Sequence, residues 1–283
     1  TPEIYTLSLH DALPIFAGQK IKLFLNRLVG TARRIESLPL PLSIVATDIG
    51  NGERVVFRDG TLSTAMRASM SVPGLLAPIE LNGRKLVDGG LVDNLPISEV
   101  RERCQADVVI AVDVGTPLLK SEEIGSLLTV SAQMIGILTQ QNVERSLALL
   151  GPRDILIRPD LGDLTAVDFP RHAEAAERGR LAAQAVAERL AALRLSPADY
   201  AAWQSSMTVE APPQLRVDAV EIAGLRRVNP QAVERLLDIA PGETVDALRI
   251  DHNLLRVYGD GHYESVDYTL GNEAGRNLLR VMP

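Results

Sequence analysis

Residues 86–96 read LVDGGLVDNLP, and this stretch decides how the chain is interpreted. Residues 84–87 have the pattern of a short strand, and Asp88, Gly89 and Gly90 then turn the chain. A strand holds the aspartate rigidly at its end, and the two glycines allow a sharp backbone turn beside it. Out of context such a tripeptide is more often only a turn. The rest of the chain must therefore decide whether Asp88 has a chemical role.

Helix and strand patterns alternate on both sides of this turn. The segment 124–143 is long enough to span a bilayer, but polar residues interrupt it and its apolar residues recur at helical spacing. We therefore predict a half-buried amphipathic helix there, with Leu127, Val130, Met134 and Leu138 on one face. The predicted helices cover residues 16–36, 61–71 and 171–195, the last with Ala182, Val186, Leu190 and Leu193 on one face. The predicted strands cover residues 42–47, 54–58, 106–114 and 155–158, with a turn at 50–52.

The pattern at 106–114, ADVVIAVDV, is typical of a buried parallel strand because it is nearly continuous in β-branched residues. Strands mixed with helices around one such strand predict an α/β layer domain over residues 16–206. Residues 207–214 contain two adjacent prolines and predict a linker. A small α+β module follows over residues 215–283, in the order β-α-α-β and then a further strand at 277–281.

Composition narrows the function classes. The 283 residues are 46% hydrophobic and 23% charged, which is ordinary for a globular protein of about two domains. A single cysteine, Cys104, excludes an intrachain disulfide, and we interpret it as a structural thiol. A net charge of −7 with 4% aromatic residues argues against a nucleic-acid partner.

A series of motifs before residues 86–96 indicates whether the Asp-Gly-Gly turn has a chemical role. Residues 45–48 read VATD, 55–57 read VVF and 68–74 read ASMSVPG, all ahead of the 86–96 stretch. In this order the series resembles the second half of a patatin-like phospholipase domain, and the later strand and alanine-rich helix fit its end. The resemblance implies a three-layer α/β sheet domain, truncated at its N-terminus. It also implies hydrolysis of phospholipid or other lipid acyl esters by a Ser-Asp dyad, without cofactor or metal.

The resemblance assigns the proton acceptor to Asp88 and the motif to Asp88, Gly89 and Gly90. A solvated aspartate, with a pKa of about 3.9, is a weak base. It becomes useful when burial raises that pKa and when a serine hydroxyl lies within hydrogen-bond reach. Backbone amides must also receive the oxyanion.

The nucleophile is absent from the sequence. The 283 residues contain no G-x-S-x-G and no glycine-rich oxyanion loop. Both precede the Asp-Gly-Gly motif in the family, so we expect them before residue 16, in a chain truncated at both ends and inactive alone. Residues 1–15, TPEIYTLSLHDALPI, resemble translated sequencing-adapter read-through, the alternative being a genuine N-terminal segment.

The tail carries a second resemblance. Residues 222–225 read IAGL and 258–266 read YGDGHYESV, and both resemble parts of a POTRA module from outer-membrane assembly and secretion proteins. Bacterial proteins that fuse a patatin domain through such a module to an outer-membrane domain share this arrangement. The resemblance implies an envelope location, outer-membrane-associated or secreted, and an envelope protein partner. The alternative is that the chain is non-catalytic and acts by binding a partner. A β-α-α-β module can bind a peptide as an additional strand at the edge of its sheet.

The remaining polar candidates have structural interpretations. The histidines show no metal-ligand spacing, so no metal site is expected. The other acidic residues are interpreted as loop or strand-end residues, and Asn94 and Pro96 as shaping the loop after Asp88. Two arginines could meet phosphate, although no spacing requires it. These candidates are His10, His172, His252 and His262; Asp48, Asp93 and Asp113; and Arg67 and Arg84.

Overall fold

The computed structural model shows a mixed α/β protein. It describes residues 19–30, 33–165, 168–207, 215–225, 229–259, 263, 266–273 and 275–283. The segment 1–15 lies outside these residues, and so does the predicted linker 207–214 apart from Met207. Within the described part of the chain, no helix has the length and apolar character needed to cross a bilayer.

The predicted helices and strands are present with shifts at their ends. The structure adds elements that were not predicted, at residues 79–81, 97–104, 197–206 and 243–245. The helices are α1 (Gln19–Val29), α2 (Leu62–Ser69), α3 (Ile97–Cys104), α4 (Leu127–Leu147), α5 (His172–Ala185), α6 (Ala187–Ala191), α7 (Pro197–Ser206), α8 (Pro230–Leu237) and α9 (Ala247–Gly259). The strands are β1 (Ile44–Asp48), β2 (Glu53–Phe57), β3 (Ile79–Leu81), β4 (Arg84–Asp88), β5 (Ile110–Val112), β6 (Ile155–Ile157), β7 (Leu215–Val217), β8 (Ala219–Ile222), β9 (Glu243–Val245), β10 (Asp267–Glu273) and β11 (Arg276–Met282).

The strands form one larger sheet and three smaller ones. The four-stranded sheet has the order β2-β1-β4-β3, and β3 pairs antiparallel with β4 in the register Ile79↔Leu86. Strands β5 and β6 are parallel, with Ile110 opposite Ile155. Strand β7 pairs antiparallel with β9, and the remaining sheet has the order β10-β11-β8.

By its internal contacts the chain divides into two compact units. One comprises residues 1–38, 57–87 and 209–283, and the other comprises residues 39–56 and 88–208. The second unit contains the Asp-Gly-Gly turn, and its core lies where β5 packs with α3 and α4. The core residues are Leu95, Ile97, Val109, Ala111 and Val143.

The parallel strand predicted at 106–114 forms, but it is shorter and less buried than expected. Only Ile110–Val112 is strand, and Ile110 and Val112 are 48% and 47% exposed. Successive side chains of a strand point to opposite faces. Val109 and Ala111 therefore enter the core while their β-branched neighbours face away from it. The prediction of a continuously buried strand is wrong for this reason.

Two predicted helix faces are also corrected. The predicted apolar face of α4 is exposed, with Leu127 at 85%, and the buried residues of α4 are Asn142 and Val143. The helix predicted at 171–195 ends early and breaks at Val186, and α5 and α6 contain no buried residue. Alanine favours helical backbone without requiring a packed face, so composition predicted the helix but not its burial. Helix α7 was not predicted, although Ser196 caps it and Pro197 opens it.

The C-terminal part has the predicted order of elements. Strand β11 pairs antiparallel with β10 and parallel with β8, which gives a β-α-α-β-β arrangement with a short extra strand, β9. The Asn229 side chain caps α8 by accepting a hydrogen bond from the Gln231 amide at 3.0 Å, and Pro230 opens that helix. Two strands, β7 and β8, precede α8, where the predicted order has one strand.

Candidate active site

Asp88 lies at the junction of a strand and a tight turn. It ends β4 and caps the short 3-10 helix Gly89–Leu91, and its Oδ1 accepts a hydrogen bond from the Gly90 amide at 2.7 Å. The Asp88 carbonyl accepts a second bond from Thr47 Oγ1 at 2.8 Å. Both the main chain and the carboxylate of Asp88 are therefore held. Oδ2 of Asp88 has no donor among the residues that the structure describes.

The environment of this carboxyl changes its acidity. Asp88 is partly buried, and burial raises its pKa above the usual value for aspartate. The Gly90 hydrogen bond acts in the opposite direction and is the smaller of the two effects. A raised pKa makes the carboxylate a better proton acceptor. This is the environment that base chemistry at Asp88 requires.

The two glycines are required by close approach. A Cβ on Gly89 would lie 2.3 Å from the Val45 carbonyl oxygen on β1, and that atom cannot move without displacing the strand. A Cβ on Gly90 would lie 2.8 Å from Asn94 Oδ1 and 2.9 Å from Asp88 Oδ1. Neither glycine has a positive φ. A side chain at position 89 would therefore meet backbone, whereas one at position 90 would displace the ends of the Asn94 and Asp88 side chains.

Helix α4 holds the turn from the other side. Asn142 Nδ2 and Thr139 Oγ1 both donate to the Gly90 carbonyl, at 2.8 Å and 3.1 Å. Asn142 Oδ1 accepts from the Asn94 amide at 2.9 Å. Sequence reasoning missed both α4 residues, because they counted only as polar interruptions of an apolar helix. The available signal was their spacing, since positions i and i+3 share one helix face.

An ion-pair cluster fixes the far end of the loop. Arg54 contacts Asp93 at 2.6 Å and Glu99 at 3.2 Å, and Ser43 Oγ donates to Glu99 at 2.7 Å. Asp93 and Glu99 are both buried. Burial raises the pKa of the Asp93 carboxyl, and the charge of Arg54 opposes that effect. Asp93 is thus a loop residue, as predicted, with a structural ion pair that the sequence did not reveal.

Three other candidates from the sequence have hydrogen-bond or ion-pair partners other than Asp88. Asp48 Oδ1 accepts from the Gly50 amide at the β1–β2 turn, and Asp113 pairs with Arg158. Arg67 is buried and donates to Ser71 Oγ and the Ala77 carbonyl, and its burial lowers its pKa.

The remaining candidates are exposed or flank helices. His172 opens α5, and Pro96 precedes α3. Four further candidates have exposed side chains, and two histidines lie outside the described residues. In the ranges that the structure describes, no group of three or more His, Cys, Asp or Glu could hold a metal. The exposed candidates are Arg84, Asn94, Cys104 and His252, and those outside the description are His10 and His262.

The fold and this site define an α/β protein with a partly buried aspartate on an Asp-Gly-Gly turn. Residues 5–101 match the model of the family described as patatin-like phospholipase. The match begins inside the segment 1–15, and it ends within α3.

Similar proteins from curated collections agree with this match. An uncharacterised NTE family protein of Mycobacterium tuberculosis is 41% identical over 105 residues, covering 37% of this chain and 29% of that protein. A second such protein from the same species is 31% identical over 172 residues, covering 53% and 29%. The lysophospholipase NTE1 of Yarrowia lipolytica is 30% identical over 162 residues, covering 49% and 11%.

The chain thus spans about 29% of the length of the mycobacterial relatives. Residues 5–101 are thus similar to a patatin-like phospholipase domain, and the matching relatives are described as NTE family proteins or as a lysophospholipase.

Proposed function

We propose that this chain supplies the base of a lipid acyl hydrolase, with Asp88 as the proton acceptor of a Ser-Asp dyad. The observation that carries the proposal is the partly buried Asp88 carboxylate, held at the end of β4 with its pKa raised by burial. The match of residues 5–101 to a phospholipase family supports the same assignment.

The two oxygens of Asp88 have different tasks in this proposal. Oδ1 is engaged by the Gly90 amide and fixes the orientation of the carboxylate. Oδ2 accepts the proton from the serine hydroxyl as its oxygen attacks the ester carbonyl. The proton then passes to the leaving alcohol when the tetrahedral intermediate collapses, and water releases the acyl group by the same steps.

The proposal assigns the serine and the oxyanion donors to sequence outside these residues, because the 283 residues contain no G-x-S-x-G. The substrate is a phospholipid, lysophospholipid or other lipid acyl ester. The Yarrowia lipolytica relative named lysophospholipase NTE1 supports this substrate class.

The test compares Asp88→Asn with the wild type in the complete protein that contains this chain. Asparagine keeps the size of the side chain but cannot accept the serine proton. We expect the rate of fatty-acid release from lysophospholipid vesicles to fall by about 10²–10⁴-fold, the usual contribution of a positioned base. Asp107→Asn is the matched control, because Asp107 is 93% exposed. A wild-type rate in the Asp88→Asn protein would remove Asp88 from the dyad.

A second candidate function is protein interaction through residues 215–283. The observation that favours it is the β-α-α-β-β arrangement, in which the four-residue strand β8 lies at one edge of the sheet β10-β11-β8. An edge strand can pair with an extended peptide from a partner. We propose an envelope protein as this partner and the bacterial envelope as the location.

Deleting residues 215–283 from the complete protein tests this second function. We expect the deleted protein to leave the envelope fraction. Circular dichroism must show that the remainder still folds, because residues 57–87 and 209–283 belong to one compact unit. The Asp88→Asn protein is the converse control and should lose hydrolysis while remaining in that fraction. Unchanged fractionation after the deletion contradicts the interaction function.

A further inference from the structure

We infer that Asn142 is a positioning residue for Asp88: from helix α4 it holds the carbonyl of Gly90, the residue whose amide orients the Asp88 carboxylate. Thr139 is its partner in this task. The inference rests on the proposed function of Asp88, which it deepens by adding a second layer of residues behind the base.

The Asn142 amide is fully engaged although it is buried. Its Nδ2 donates to the carbonyls of Gly90 at 2.8 Å and Leu138 at 3.0 Å, and its Oδ1 accepts from the Asn94 amide at 2.9 Å. The residue is only 3% exposed. Burying an amide is costly unless its hydrogen bonds are made. Two of these three bonds go to the loop after Asp88, so the amide is matched to that loop and not to the helix alone.

Gly90 needs this external support. A glycine has the widest backbone freedom of any residue. A Cβ on Gly90 would meet the side-chain oxygens of Asn94 and Asp88, so a stiffer residue there would displace the Asp88 carboxylate itself. Its carbonyl is held by Asn142 and Thr139, and its amide donates to Asp88 Oδ1 at 2.7 Å. The amide and the carbonyl of Gly90 belong to neighbouring peptide units that meet at its Cα. Holding the carbonyl therefore limits the φ and ψ angles of Gly90 through which the amide can turn. The hydrogen bonds that connect α4 to the Asp88 carboxylate therefore all pass through Gly90.

This path predicts an electrostatic effect that packing alone does not. The Gly90 hydrogen bond lowers the pKa of Asp88 against the larger effect of burial, so loosening the bond raises that pKa further. Other ionisable groups near the turn are Asp48 on β1, Asp93 in the loop, and Glu144 and Arg145 on α4. None of these four is a cause of the Asp88 shift.

The experiment compares four variants. Asn142→Leu removes the amide at similar volume, Thr139→Val removes only one donor, and Thr139→Ser restores a hydroxyl. Gln141→Leu is the matched control, because Gln141 is an exposed amide on the same helix. The Asp88 pKa is measured by carboxyl-carbon NMR titration of the 283-residue chain, and kcat and KM are measured in the complete protein.

We expect the pKa of Asp88 to rise by about half a unit in Asn142→Leu and by less in Thr139→Val, as the loss of one modest hydrogen bond implies. The kcat should fall about tenfold with KM unchanged, because these bonds orient the base and do not reach the substrate. Thr139→Ser and Gln141→Leu should match the wild type.

The inference is overturned if folded Asn142→Leu has the Asp88 pKa and the kcat of Gln141→Leu. If Asn142→Leu does not fold, the Thr139→Val and Thr139→Ser pair decides by the same two measurements. Hydrolysis retained in Asp88→Asn overturns the proposed function itself. Hydrolysis lost in Asp88→Asn, with both measurements unchanged in the α4 variants, overturns the positioning inference alone.

Discussion

At the scale of the residue, contacts between single atoms determine the geometry of the Asp-Gly-Gly turn. The Asp-Gly-Gly tripeptide identified Asp88 from the sequence, but the reason for its first glycine was not visible there. Gly89 lies against the backbone of Val45, a residue 44 positions earlier in the chain. Sequence patterns report local backbone preferences, whereas this contact depends on how two distant segments pack. The same limit hid Asn142 and the Arg54 ion pairs.

The contact at Gly89 makes a prediction about stability. Gly89→Ala places a Cβ 2.3 Å from the Val45 carbonyl oxygen, and relief requires a backbone shift. We expect the free energy of unfolding to fall by about 1–3 kcal/mol, the usual cost of overpacking. Urea denaturation followed by circular dichroism measures this change. Gly125→Ala is the control, since a Cβ there meets nothing within 4 Å and the backbone is not left-handed. Equal stability of the two variants would contradict the steric argument.

Buried polar groups tie the elements of the second unit together. Asp154 accepts hydrogen bonds from the Val109 amide at 2.8 Å, from the Gly151 amide at 2.6 Å and from Arg101. It thereby joins α3 and the start of β5 to the turn before β6. Helical spacing predicted that α4 exists, but it could not predict the buried face, because α4 packs its polar Asn142 against a turn. Periodicity shows which residues share a face, and only the partner determines which face is covered.

The bonds to Asp154 predict a pH-dependent stability. They lower the pKa of its carboxyl in the folded protein. A lowered folded-state pKa contributes stability that is present above the unfolded pKa of about 3.9 and is lost as the pH falls through the folded value. We therefore expect Asp154→Asn to reduce the free energy of unfolding at pH 7, with a smaller difference from wild type below about pH 4.

Urea titrations of the wild type and Asp154→Asn at several pH values measure this difference. Asp107→Asn, at an exposed carboxylate, should match the wild type throughout. A deficit in Asp154→Asn that is the same at pH 7 and pH 3 would show that the carboxylate charge contributes nothing.

At the scale of the whole molecule, two kinds of sequence pattern predicted the organisation of the chain: local helix and strand signals, and the series of motifs. The β-α-α-β order and final strand of residues 215–283 were predictable, because caps such as Asn229-Pro230 and alternating strands are local signals. The residues that form its core lie between Val217 and Val281. The motif series in residues 45–96 predicted the patatin-like region. The division of the chain into units that interleave in sequence was not predictable, because segment order does not determine which segments pack together.

The link between α4 and the turn also has a consequence in time. The donors on Thr139 and Asn142 lie 49 and 52 residues after Gly90, the carbonyl that they hold. Contacts of such sequence separation form late, since the intervening chain must first be closed into a loop. During synthesis, Asp88 and its glycines leave the ribosome well before α4 exists. The hydrogen bonds from Thr139 and Asn142 to the Gly90 carbonyl can therefore form only after that helix has been made and has docked.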